Sequence, residues 1–259
     1  MGHQKAALQI LTNLFPTPEM AMQSPVGRMA FSWYSRFDAF VAVMGGFQTA
    51  MPREWFVTFV DKCREKIAEN PDDVRRKLDV AEAQLRLISV DMSFLYPKGH
   101  RGEISPEAFI AEHDRIMKQL EEWKESLDPS LNDPAYEVRD FPGQGSLDES
   151  GIVNPYAPGV LYREPLFSVT LMMSEWLSIN IMHKSQSTTM PKEQMYAELR
   201  EHSYAICQIF EAVERWPAAP RGALMLVQAC LALSALFLPQ DAKHHNWMRR
   251  KFALMETLG

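Results

Sequence analysis

Seven apolar residues, Val74, Leu78, Ala81, Leu85, Ile88, Met92 and Leu95, recur at alternating steps of four and three. Across 74–95 that spacing keeps them on one side of a helix, and a continuous apolar side has to be buried against a partner. The stripe is repeated twice. Phe109, His113, Ile116, Leu120, Trp123 and Leu127 carry it after Ser105-Pro106-Glu107, and Met195, Leu199, His202, Ile206, Ile209, Val213 and Trp216 carry it after Pro191. No segment of strand period matches these in strength, so the chain is expected to be all-α, with its first two stripes paired antiparallel. Asn70-Pro71-Asp72-Asp73 reads as the start of the first striped helix, with Asn70 as cap and both carboxylates near the positive end of the helix dipole. The Asp72-Asp73 pair also raises the question of a magnesium site, which needs carboxylates on one helical face above a cavity and a second acidic site on a facing helix. No second acidic motif accompanies it, and capping is the preferred reading.

Further helices are expected over residues 4–15, about 53–69, about 165–184, and from 240 onward. Residues 223–238 are apolar on nearly every side. At about sixteen residues that run is short of the ~20 a bilayer requires, so it reads as a buried helix and the chain is expected to have no membrane contact. Between Asp128 and Glu164 prolines and glycines exclude regular helix through most of the segment. Residues 141–150 are expected to be mobile, and the more apolar stretch from Ile152 to Tyr162 to lie on the helices. The predicted architecture is a single multi-helix bundle of two packed halves, 1–127 and 165–259, joined by the irregular connector 128–164.

The stretch from Gly27 to Phe56 is expected to hold the central helix. Trp33, Phe37, Phe40, Val41 and Met44 share one face of it, predicted to fill a core, while Ser32, Ser35, Ala39 and Ala42 would let a second backbone approach the other. Gly45-Gly46 stops the helix, and Pro52 starts another. Arg36, Asp38, Arg53 and Glu54 border this region. Because an isolated buried charge costs several kcal/mol, the four are predicted to pair among themselves as a structural latch between the two helices.

Trp33-Tyr34-Ser35-Arg36-Phe37-Asp38, then Gly45-Gly46 and Arg53-Glu54-Trp55-Phe56, resembles the opening of the regulatory domain of fungal zinc binuclear-cluster transcription factors. Gly102-Glu103-Ile104-Ser105, Ile152-Val153-Asn154-Pro155-Tyr156, Met182-His183-Lys184, Ile206-Cys207-Gln208 and Trp247-Met248-Arg249-Arg250-Lys251-Phe252 extend the likeness in order. The resemblance implies a nuclear domain that regulates transcription in response to metabolites, including in secondary-metabolite pathways, through protein partners or self-association. In that family zinc is held by a six-cysteine N-terminal cluster, which contacts DNA. Cys63, Cys207 and Cys230 cannot build it, so no cofactor is expected in this chain, DNA would be reached only through a module absent from it, and the chain is expected to be a fragment or a cluster-less relative.

A formal net charge of -6 is consistent with that, since phosphate contacts need a basic surface. The three cysteines contain no C-x-x-C pair and read as idle thiols in a reducing compartment. There is no H-E-x-x-H, phosphate-cradling glycine loop or G-x-S-x-G. His113 and His202 fall on apolar stripes as core residues, and His244-His245 point about 100° apart on a helix. No catalytic or metal-binding residues are assigned. The alternative to a regulatory domain is a helical small-molecule-binding protein or enzyme with a cavity lined by some of the 16 Met and 14 Phe. An effector would sit near Tyr156 and Tyr162.

Overall fold

All three stripes become helices, and most of the residues at their apolar positions are buried, with Val74, Phe109, Met195 and His202 half-buried and Leu127 and Trp216 just past the helix ends. The computed structural model describes residues 2–142, 144 and 149–258, and it is all-α, with no strand among those residues. It divides into two units, Met1–Asp128 and Pro129–Gly259.

The first unit contains α1 (Gly2–Leu14), α2 (Pro18–Gln23), α3 (Pro25–Gly45), α4 (Arg53–Glu69), α5 (Val74–His100) and α6 (Pro106–Glu125). Helix α5 is its axis and packs against α3, α4 and α6. Leu78, Ala81, Leu85, Ile88, Met92 and Leu95 are buried along it, opposite the buried His113, Ile116, Leu120 and Trp123 of α6. The Trp123 indole N–H donates to the Ala81 carbonyl at 2.9 Å, tying the two stripes by a polar contact as well as an apolar one.

The start of α5 differs from expectation. The cap is Asp73, whose carboxylate accepts from the amides of Arg75 and Arg76 at 3.0 and 3.2 Å, while Asn70 closes the end of α4. Two capping-type residues flank the turn, and the backbone path of the α4–α5 connection decides which one meets free amides. At α2–α3 the chain turns so tightly that a Cβ on Gly27 would lie 2.4 Å from the Ala21 carbonyl oxygen, which explains a residue of no propensity value near a helix start.

In the second unit two 3-10 turns, Pro129–Asn132 and Pro134–Tyr136, lead into the irregular segment. Helices α7 (Phe167–Lys184), α8 (Lys192–Arg215), α9 (Ala223–Ser234) and α10 (Ala242–Leu258) follow. Helices α7, α8 and α9 pack mutually, and α10 adds to α9. Helix α7 is buried on almost every side, and the apolar run beginning at Ala223 ends its helix at Ser234 before turning to a buried Leu238. No described helix is long and apolar enough to cross a membrane.

The connector packs as part of this unit. The Val138 amide donates to the Leu161 carbonyl and the Arg163 amide to the Tyr136 carbonyl, both at 2.8 Å, around an isolated antiparallel bridge between Glu137 and Tyr162. Of the stretch expected to be mobile, residues 143 and 145–148 lie outside the described residues. Phe141 is buried in edge-on contact with Tyr156, and Ser150 accepts from Arg250 through its hydroxyl at 2.7 Å and its carbonyl at 3.0 Å.

Candidate functional site

Helix α3 is bounded as its sequence dictates. Ser24 accepts from the Gly27 amide at 3.2 Å, Pro25 opens the first turn, and Gly46 closes the helix at φ 67°. Its two faces are used in the opposite sense to the expected one. The buried side carries Phe31, Tyr34, Ser35, Asp38, Ala39, Ala42 and Val43. Phe31 anchors it, with ring centroids 6.1, 5.4 and 5.1 Å from Trp55, Phe56 and Phe59. The face of large residues looks outward: Met29 is 68% exposed, Trp33 73%, Phe37 48% and Met44 47%, with Phe40 and Val41 half-buried. The small face wins because α1, the 49–51 turn and α5 come close to the α3 backbone there, and because Asp38 has donors only on that side.

Asp38 is fully buried. Its carboxylate accepts from Gln4 Nε2 at 2.5 Å, the Ala50 amide at 3.0 Å and the Met51 amide at 2.8 Å, so one side chain joins α1, α3 and the turn into α4. The Tyr34 hydroxyl donates to the Gln4 carbonyl at 3.4 Å, and burial together with the Asp38 charge raises its pKa above the ordinary phenol range. Arg53 turns elsewhere, forming a two-pronged contact with Asp91 of α5 at 2.6 and 3.1 Å. The latch predicted among Arg36, Asp38, Arg53 and Glu54 is thereby revised. Asp38 and Arg53 each hold α3 or α4 in place, but through Gln4, backbone amides and Asp91. Arg36 is half-buried on α3, and Glu54 is exposed in the first turn of α4. The partner of Arg53 lies 38 residues downstream, on an α5 residue that the apolar stripe gave no reason to single out.

Arg53 and Asp91 stand at one end of a cleft of about 830 Å³ between α4, α5 and α6. Val57, Val60, Leu87, Ile88 and Trp123 line its apolar walls. Arg115 faces the same end, 4.0 Å from Asp91 and in a two-pronged contact with Glu112 at 2.9 and 2.5 Å. The hydrogen bond to Asp91 raises the Arg53 pKa, and the bond to Arg115 depresses that of Glu112. A smaller hollow of about 310 Å³ shares Arg53, Asp91 and Glu112, so this charge cluster is the partition between two depressions.

In the second unit Tyr156 and Tyr162 hold the connector. Arg215 donates to the Tyr156 hydroxyl at 3.3 Å and lies over its ring at 5.8 Å, while the Tyr162 amide donates to Thr170 Oγ1 at 3.0 Å. Burial and, secondarily, Glu137 raise the Tyr162 pKa. Arg215 is fixed in turn by the buried Glu211, which also accepts from the Trp247 indole at 3.1 Å. A hollow of about 590 Å³ nearby is lined by residues 134, 135 and 137–140 with Arg163 and Trp216, and neither Tyr156 nor Tyr162 belongs to its wall. His244 and His245 diverge as expected, His244 to Tyr204 and Asp241 and His245 to Gln240.

All three cysteines are buried and unbridged, and burial pushes the Cys63 and Cys207 thiols up to about 12, which removes them as nucleophiles near neutral pH. Among the described residues no group of three His, Cys, Asp or Glu side chains is placed to hold a metal. The fold and these sites define an all-α protein with an exposed apolar face on α3 and an open cleft between α4, α5 and α6. The chain matches no protein-family model, no curated protein and no solved structure.

Proposed function

We propose that the chain is a regulatory, protein-binding domain of the kind its sequence resembles, controlling transcription through contacts made by the outer face of α3. The observation that carries this reading is the row Met29, Trp33, Phe37 and Met44, exposed at helical spacing on a helix whose other face is fully packed. Folded chains seldom leave contiguous apolar surface uncovered unless something docks on it. A single helical stripe of aromatic and methionine side chains suits an amphipathic helix of a partner protein. The same stretch, Trp33 to Asp38, opens the series of segments that carries the resemblance. Its buried half serves the fold, which leaves Trp33 and Phe37 available for recognition.

Fusing the chain to a heterologous DNA-binding module and reading a reporter gene tests this. The fusion is expected to change reporter output severalfold, and Trp33→Glu with Phe37→Glu to abolish the change while helicity and melting temperature stay put. An inert wild-type fusion, or a double variant as active as wild type, overturns the reading.

A second reading, a helical small-molecule-binding protein, is favoured by the cleft between α4, α5 and α6, whose volume falls in the range that ligand sites occupy.

A further inference from the structure

Gln119 lies on the α6 wall of that cleft, and its Oε1 is buried with no hydrogen-bond partner, the one such side-chain atom among the described residues. Buried acceptors are almost always paired, because an unmet one forfeits the hydrogen bonds it had in water. Arg115, Gln119 and Trp123 rise in successive turns of α6, about 6 Å apart, so the amide stands between a charged end and an aromatic side chain. The Trp123 indole N–H is already committed to Ala81 and leaves only apolar ring surface to the cleft. Arg53 and Arg115 are likewise matched to carboxylates at the charged end. The unpaired group on this wall is therefore an acceptor, and Val57, Val60, Leu87 and Ile88 supply the apolar surface beside it.

We propose that the cleft binds a planar, largely apolar small molecule that presents an N–H or O–H donor to Gln119 Oε1. The ring would lie between Val57 and Val60 of α4 and Leu87 and Ile88 of α5. A turn of the Gln119 amide about its last side-chain torsion would direct the carbonyl at the ligand. The neutral donor is specified over a cation because the carboxylates of the cleft already have cationic partners, Asp91 with Arg53, Glu112 with Arg115, Asp61 with Arg64 and Glu122 with Lys118. This deepens the small-molecule reading and rests on it, while the protein-contact reading of α3 stands or falls separately.

The probes are indole and N-methylindole, alike in shape but for the donor, titrated into the full chain and followed by ligand-detected NMR. Indole is expected to bind roughly tenfold more tightly, the factor that one hydrogen bond to an otherwise unpaired group supplies. Gln119→Leu should bring the two affinities together, and Gln119→Glu should retain the preference for indole. Val57→Trp, which fills the cleft from a half-buried position, should remove both probes without lowering the thermal midpoint. Equal binding of the two probes by wild type, lost in Val57→Trp, overturns donor recognition by Gln119 and leaves the cleft a ligand site. Binding of neither probe, or binding untouched by Val57→Trp, overturns the site itself.

Discussion

Asp38 and Asp91 are both carboxylates beside an α-helical core, and their surroundings give them different weights. Asp38 has no access to water, and three donors from two other segments depend on it. Removing it strands those donors at about 1 kcal/mol or more each, so Asp38→Ala is expected to lower the unfolding free energy by roughly 3 kcal/mol. Asp91 pairs with a half-exposed Arg53, and such pairs contribute about 1 kcal/mol or less, so Asp91→Ala should be mild. Urea unfolding followed by circular dichroism ranks the two, and an equal effect would refute the assignment of Asp38 as the structural carboxylate of this unit. Sequence alone placed Asp38 on a helix border where a buried charge would need partners. It could not supply those partners, because two of the three are backbone amides, which carry no residue-type signature.

At the scale of elements, the α4–α5 connection shows how local signals compete. Asn70 and Asp73 are both good caps by residue type, and only Asp73 has the amides of the next turn within reach. Asp73→Ala is expected to cost about 1 kcal/mol and to raise hydrogen exchange in the first turn of α5, while Asn70→Ala leaves that turn unchanged; the reverse pattern would restore Asn70 as the cap. Helix α3 poses the same problem on a larger scale. Its positions divide into a large-residue face and a small-residue face, and periodicity identifies the division without saying which side is inner. Size argues for burying Trp33 and Phe37. Close approach of neighbouring backbones and the donors of Asp38 argue for burying Ser35, Ala39 and Ala42, and they prevail. For α5, α6 and α8 the apolar stripe marks the inner side, although α5 also buries Ala83, Val90 and Tyr96 and α8 also buries Phe210 and Glu211, which lie off the stripe.

For the whole molecule, the buried thiols provide a readout that reaches both units. Cys63 belongs to the first and Cys207 to the second, and burial moves each from an ordinary value of 9.0 to about 12. The folded state therefore keeps these protons at pH values where the unfolded chain releases them. Their contribution to stability is complete below about pH 9 and lost as pH rises toward about 12, at up to about 1.4 kcal/mol per pH unit for each proton. The urea midpoint should fall steadily over that window, and Cys207→Ala should flatten the fall; a midpoint independent of alkaline pH would contradict it. What the sequence determined by itself was what neighbours along the chain govern: helical class, most helix bounds and the inner side of the striped helices, although α5 runs on through Pro97 and Gly99 to His100. Tertiary structure alone decided which face of α3 meets solvent, which residue completes the Arg53 ion pair, and where Gln119 is left without a partner. Those three depend on segments many residues apart arriving at one place, and helical spacing is fixed by local geometry whereas such meetings are not.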